Sequence, residues 1–250
     1  MGIEIDLTGK VVLVTGGTRG IGAGIAETFL RAGAEVHVCA RKSVEVLPAH
    51  GPATAHFTQV DVRENDQVAD LVSGVLQRSG RLDVLVNNAG GTPVADTASA
   101  SIRLHRKVLE LNLLAPLLLA QHAREALAAS RGSIVNISSV SGHRPSPGTA
   151  AYGAAKAGLD NLTATLAQEF APDVRVNGVV VGLVRSDDQA DHYGDADLSS
   201  IVPLGRLAEP SDVGNASLFL ASPLASYVSG STLTVDGGGE RTAYLNAVRS

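Results

Sequence analysis

The chain has 250 residues and a net charge of −5, a length that suits one α/β domain able to bury on the order of 70% of its unfolded surface. Acids and bases are interspersed, leaving no basic stripe for nucleic acid, and neither the N-terminal MGIEIDLTGK nor the apolar LNLLAPLLLAQ supplies a signal-peptide core or a bilayer span, so a cytoplasmic location without membrane partners is expected. The one cysteine, Cys39, cannot form an internal disulfide and reads as structural, and no His/Cys cluster has metal-ligand spacing, so no metal is expected.

In chain order, residues 11–14 form a short β-branched run, then a glycine-rich turn, then a helix with apolar Ile21, Ile25, Phe29 and Leu30. Gly16, Gly20 and Gly22 stand in G-x-x-x-G-x-G spacing. Missing side chains there let the backbone approach a pyrophosphate, and the helix N-terminus offers unpaired N–H groups and partial positive charge. A loop that only turns the chain is the structural alternative. Apolar runs at 36–39 and 57–60 follow, and then a helix whose Val68, Leu71, Val72, Val75 and Leu76 share one face. Next come a strand at 82–86, a long helical region at 102–127, a strand at 134–138, the helix that carries Tyr152 and a strand at 174–181. A helical stretch at 211–221 precedes the last strand, 232–235. Strands alternating with helices predict a parallel doubly wound α/β sheet, with right-handed crossovers placing the ligand crevice at the strand C-termini. No repeat or linker divides the chain, so residues 1–250 read as one domain, and the one long polar insertion, about 185–201, reads as a substrate loop.

The chemistry gathers in NISSVSG and AAYGAAKAG. Tyr152 and Lys156 are one helical turn apart and share a face, which sets an ammonium beside a phenol, with Ser139 thirteen residues upstream. A free Tyr titrates near pH ~10. A neighbouring cation favours the phenolate, so the pair suits proton transfer; an ordinary surface pair is the bland alternative.

Taken together, TGGTRGIG, NNAG at 87–90, Asn112 in ELNLLAP, Ser139, Tyr152, Lys156, RVNGVVVG and VSGSTLTVDGG resemble the short-chain dehydrogenase/reductase family in its shorter single-domain branch. The resemblance spans nearly the whole chain. It implies a Rossmann-type sheet of about seven strands, a nicotinamide dinucleotide, reversible hydride transfer between carbonyl and alcohol, and a homotetramer, with a homodimer as the alternative.

On this resemblance Tyr152 exchanges a proton with the substrate oxygen, Ser139 hydrogen-bonds that oxygen, and Lys156 lowers the Tyr152 pKa and holds the nicotinamide ribose. Asn112 supports a water chain that resupplies the proton; a helix-bending role is its structural alternative. Ser138, on the opposite face of the strand, is a decoy. The cofactor site is expected to draw on Gly16, Thr18, Arg19, Gly20, Ile21, Gly22, Arg41, Asp61, Val62, Asn88, Ala89, Gly90, Gly182, Val184 and Ser186, together with Tyr152 and Lys156. A chain that reads NAD offers Asp or Glu about 20 residues beyond the glycines. Ala40 stands there instead, with Arg41 and Lys42 following and Arg19 inside the glycine loop. Such cations suit a 2′-phosphate, so NADP(H) is the expected cofactor and NAD(H) the alternative; solvated loop charges are the competing reading of Arg41 and Lys42. Asp61 resembles the family's adenine-side acid, with a strand-end cap as its other reading.

After the sixth strand the family's Pro-Gly followed by Thr is replaced by Val181, Gly182, Leu183, Val184, Arg185 and Ser186, which removes a φ restraint beside the nicotinamide. His143 reads either as a substrate contact or as a solvated loop residue. The acids Asp187, Asp188, Asp191, Asp195 and Asp197 would repel an acidic carrier protein, which favours a free carbonyl compound as substrate. The expected function is an NADP(H)-preferring oxidoreductase of a small-molecule ketone or secondary alcohol. The alternatives are an NAD-dependent alcohol or hydroxysteroid-type dehydrogenase, a 3-oxoacyl thioester reductase, and a dinucleotide-binding regulatory protein without turnover.

Overall fold

The computed structural model describes residues 5–185 and 198–240. Seven parallel strands form one sheet: β1 (Val11–Thr15), β2 (Glu35–Ala40), β5 (His56–Gln59), β6 (Val84–Asn87), β7 (Ser133–Ser139), β8 (Arg175–Val181) and β9 (Thr232–Val235), in the order β5-β2-β1-β6-β7-β8-β9. Two further short strands, β3 (Ala49–His50) and β4 (Ala53–Thr54), pair as a hairpin the sequence reading leaves out. The doubly wound sheet expected from the alternation is therefore present.

The helices are α1 (Gly20–Arg31), α2 (Asn65–Ser79), α3 (Ile102–Leu109), α4 (Ala115–Ser130), α5 (Ala150–Glu169) and α6 (Pro210–Ala221). Period-2 alternation divides each central strand between two cores. Val11 and Leu13 of β1, with Leu85 and Ile134, pack against Leu71 of α2, Leu119 of α4 and Leu166 of α5. Val12 and Val14, with Val86 and Val135, pack against Ile25 and Phe29 of α1 and Val213 of α6. Burial on both faces explains the unbroken β-branched runs, and each fully buried side chain such as Leu13 contributes roughly 1.5–3 kcal/mol. Helices α1 and α6 approach closely: a Cβ on Gly24 would lie 2.3 Å from Cβ of Pro210, and one on Gly214 2.4 Å from Oγ1 of Thr28.

Strand order reverses between β1 and β6, which opens a crevice at their C-terminal ends. The glycine loop leaves β1 there, and the NNAG loop leaves β6. The expected long helical region at 102–127 is present as α3 and α4, joined by a wider π turn at Glu110–Leu114 centred on Asn112, and such turns recur at functional sites.

Candidate active site

At the crevice, the two loops hold each other. Thr15 Oγ1 accepts hydrogen bonds from the backbone N–H of both Asn88 and Ala89, each at 3.0 Å. Asn88 Nδ2 donates to the carbonyls of Thr15 at 2.9 Å and Gly16 at 3.2 Å. A side chain on Gly22 has no room, since its Cβ would fall 2.1 Å from the Gly16 oxygen and 2.5 Å from Asn88 Nδ2. Gly16 and Gly20 have φ of 62° and 50°, left-handed values that favour glycine. Gly20 starts α1, whose first turn holds no acid and no side-chain cap, and a Cβ on Gly20 would meet only open space. An uncapped N-terminus with an open approach fits a dinucleotide pyrophosphate. Thr18 and Ile21 lie half-buried on the same turn, and Arg19 is exposed at its cap position.

At the end of β2, where the sequence reading looks for the group that selects between NAD and NADP, Ala40 is half-buried and Arg41 exposed. Asp61 follows the neighbouring strand. Both of its oxygens accept from Arg63, Oδ1 from Nε at 2.9 Å and Oδ2 from Nη2 at 2.5 Å, and Oδ1 also accepts from the Arg63 backbone N–H at 3.1 Å. The bond from the Arg63 side chain is the main cause that holds the Asp61 carboxyl below the usual carboxylate range. These contacts match the strand-end cap reading of Asp61. The Val62 side chain is buried in the core with Val60 and Val68, so only its main chain can face a ligand.

Ser139, Tyr152 and Lys156, the residues expected to handle the proton, come together across β7 and α5. Lys156 is buried, 4% exposed, and its Nζ donates to the carbonyl of Ile137 at 2.7 Å. The same Nζ lies 5.5 Å from the centroid of the half-buried Tyr152 ring. Burial pushes the Lys156 ammonium down to about 8, opposed by the charge of Asp160. Ser139 ends β7 and accepts at Oγ from the Ser141 backbone N–H at 3.2 Å, whereas Ser138 is buried with its hydroxyl toward the Lys156 carbonyl at 3.4 Å. The tight turn Val140–Gly142 that follows β7 packs on α5 through two glycines. A Cβ on Gly142 would lie 2.8 Å from the Ala157 nitrogen, and one on Gly153 2.7 Å from the Ser141 oxygen. Those glycines set the distance between the serine and the Tyr-Lys pair.

Asn112 is fully buried in the π turn. Its Nδ2 donates to the carbonyls of Gly91 at 2.9 Å and Val108 at 2.8 Å, and its Oδ1 accepts from Gly91 N–H at 2.9 Å. A Cβ on Gly90 would lie 2.7 Å from that Oδ1 and 3.4 Å from Lys156 Nζ, so Gly90, Asn112 and Lys156 meet at one point. Asn87 lies in β6 itself, its amide donating to Asn136 Oδ1 at 2.8 Å, and Asn136 donates on to Thr163 of α5 at 2.8 Å. Sequence reasoning missed Thr15, Arg63, Gly142, Gly153 and Asn136. Only the short spacing from Asp61 to Arg63 was a readable signal.

Gly182 leaves β8 so close to β9 that a Cβ would touch Asp236 Cβ at 2.7 Å, and the buried Val184 pairs with Ala208. Ser186 and the five aspartates from Asp187 to Asp197 lie outside the described residues. A cavity of ≈ 310 Å³ beside Val140 is lined by Val180, Gly182, Leu183 and Val202, and by Arg144 and Glu240, which form an ion pair. His143 reaches Asp160, Nε2 to Oδ2 at 2.8 Å, and remains 47% exposed. No helix among the described residues is long and apolar enough to cross a membrane.

Comparison with known proteins agrees with this fold. Residues 16–240 match a family model described as enoyl-(acyl carrier protein) reductase. The chain is 38% identical over 247 residues to the 3-oxoacyl-[acyl-carrier-protein] reductase FabG of Chlamydia pneumoniae, covering 94% of this chain and 99% of that protein. It is 37% identical to protein FixR of Bradyrhizobium diazoefficiens, covering 92% and 86%. Its fold superposes on Thermoplasma acidophilum aldohexose dehydrogenase with a TM-score of 0.85 at 31% identity, covering 94% and 96%. The chain belongs to the short-chain dehydrogenase/reductase family of NAD(P)-dependent oxidoreductases.

Proposed function

We propose that the protein is an NADP(H)-preferring oxidoreductase that interconverts a ketone and a secondary alcohol, with Tyr152 as the general acid/base. The observation that carries this reading is the Lys156 ammonium, buried beside the Tyr152 ring and the Gly90 loop. The nicotinamide, when bound, supplies or accepts the hydride. Tyr152 gives the carbonyl oxygen its proton in reduction and takes it back in oxidation. Ser139 donates a hydrogen bond to that oxygen. Lys156 keeps positive charge beside the phenol and favours its ionised form, while Asn112 fixes the Gly90–Gly91 backbone against it and supports proton resupply.

The NADP(H) preference is supported by Ala40, which offers no carboxylate to repel a 2′-phosphate, and by the exposed Arg41 guanidinium beyond it. The apolar Val140, Val180, Leu183 and Val202 of the cavity suit a small or medium apolar carbonyl compound. A second reading, 3-oxoacyl thioester reduction, is favoured by the name of the Chlamydia relative. The chain acts as one domain with 185–201 as its substrate loop, and assembles as a homotetramer, with a homodimer as the alternative; light scattering after gel filtration measures the assembly.

Turnover of NADPH and NADP⁺ against free ketones, 3-oxoacyl thioesters free and carrier-bound, and the matching alcohols tests the function. Turnover of free ketones above carrier-bound substrates supports the primary reading, and the reverse supports the second. Tight cofactor binding without turnover would leave a dinucleotide-binding regulator.

A further inference from the structure

Away from the crevice, the sheet register assembles one cluster of metal-ligating side chains. Glu35 and His37 are two residues apart on β2 and so share a face, and parallel pairing sets His37 opposite His56 on the edge strand β5. Ser79, the last residue of α2, meets them there. Linear spacing hides the group, because the ligands come together only through strand pairing.

Oε1 of Glu35 lies 3.4 Å from Nε2 of His37 and 3.4 Å from Nε2 of His56. The two rings have centroids 5.0 Å apart, and the three ligand atoms all lie within 4.8 Å of one another. Ser79 Oγ donates to the same carboxylate oxygen at 2.6 Å and accepts from His37 Nε2 at 2.8 Å, a bond that an ion at Nε2 replaces as the ring shifts its proton to Nδ1. The separation of 3.4 Å exceeds a good hydrogen bond of about 2.7–3.2 Å. These two edges match instead those of a tetrahedron around an ion with bonds of about 2.0–2.1 Å, roughly 3.3–3.4 Å, and the third, between the imidazole nitrogens, is within 4.8 Å and closes by a small turn of the half-buried His56 ring.

We infer that Glu35, His37 and His56 form a site for one divalent transition-metal ion, zinc above all, with water in the fourth position and the Ser79 hydroxyl holding the carboxylate. Two imidazole nitrogens and one carboxylate oxygen suit zinc and are a poor set for calcium or magnesium, which take shells of oxygen. Arg78 adds positive potential at His37, so the ion depends most on the charge of Glu35. The ligands stand at the N-terminal ends of β2 and β5, opposite the crevice. The ion therefore acts as a clasp that ties the edge strand and the end of α2 to the sheet, outside the hydride chemistry.

The test is calorimetric titration of ZnCl₂ into the metal-stripped full-length protein, the Glu35→Gln variant and the His56→Ala variant, with melting curves and cobalt(II) absorption spectra alongside. The variants serve as baselines because His50, His105, His122 and His143 can also take up zinc at the surface. The wild type should bind one equivalent more than about tenfold tighter than either variant. Zinc should raise Tm only in the wild type, and cobalt should give intense tetrahedral bands only there. Identical isotherms and Tm responses in all three proteins, or an octahedral cobalt spectrum in the wild type, would overturn the inference. If His56→Ala fails to fold, Glu35→Gln decides alone: the side chain is 40% exposed and the change keeps its shape, so unchanged zinc affinity rejects the site.

Discussion

Lys156 Nζ donates a 2.7 Å hydrogen bond to the Ile137 carbonyl while standing 5.5 Å from the centre of the Tyr152 ring. One ammonium thus ties α5 to β7 and faces the phenol. Burying it is costly for the protein alone, because the interior disfavours the charged form.

That cost has a pH signature. The ordinary value of 10.5 falls to about 8 for Lys156 in the folded chain. Between those limits the unfolded chain binds the proton more strongly, so the penalty is fully present below pH ~8 and is relieved as pH rises toward ~10.5. Without cofactor, Lys156→Met should be more stable than wild type at pH 7 by up to about 3 kcal/mol, reduced by the lost bond to Ile137. The advantage should shrink above pH ~8. Urea unfolding of both proteins across this range checks it, and a wild type more stable at pH 7 contradicts it.

The Val140–Gly142 turn sits against α5 with no space to spare. In Gly142→Ala the new methyl would fall 2.8 Å from the Ala157 nitrogen, pushing Ser139 away from Tyr152. Because misplacement by about 1 Å can cost ~10² in rate, kcat should drop at least tenfold while cofactor affinity changes little. Equal kcat values in steady-state assays would show that the contact does not position the serine.

Arg41 is exposed just past Ala40, where β2 ends without a carboxylate, and its charge reaches Asp61 after the neighbouring strand. In the proposed reading it pairs with the 2′-phosphate, so the wild type should have the higher kcat/KM with NADPH. Arg41→Asp should invert the ratio. Measuring both cofactors with both proteins decides it, and a wild type that prefers NADH removes the basis for the assignment.

Asn112→Ala strips the hydrogen bonds from Gly91 N–H and from the carbonyls of Gly91 and Val108. Leaving such buried groups unpaired costs about 1–3 kcal/mol each. The variant should therefore show a lower Tm together with a lower kcat, since the Gly90–Gly91 loop loses its anchor beside Lys156. Calorimetry and turnover on one preparation measure both, and an unchanged Tm would mean the anchor carries little energy.

The strands were legible because each central strand is covered on both faces, which demands runs such as Val11 to Val14. Tyr152, Lys156, Ser139 and the glycine loop were legible because their spacing is local. At Asn112 a bend in the helix was legible from the amide among leucines, but its partner was not, since the Gly91 loop it bonds lies twenty-one residues away. Gly142 and Gly153 are silent in sequence for the same reason: only the packing of the turn on α5 shows why a methyl has no place there. Thr15 carries a hydroxyl whose partners, the N–H groups of Asn88 and Ala89, come from the loop after another strand. Val62 packs its side chain in the core, so any part it takes at the crevice falls to its main chain, which sequence does not reveal.

The most direct measurement is kcat of Tyr152→Phe on whichever carbonyl substrate the wild type reduces best, with the NADPH dissociation constant measured on the same sample. The substitution leaves the ring over Lys156 and removes only the hydroxyl. The account predicts a fall in kcat of ~10² or more with cofactor affinity within a few-fold of wild type. A variant with near-normal kcat would contradict it, because the proton would then have to come from another group.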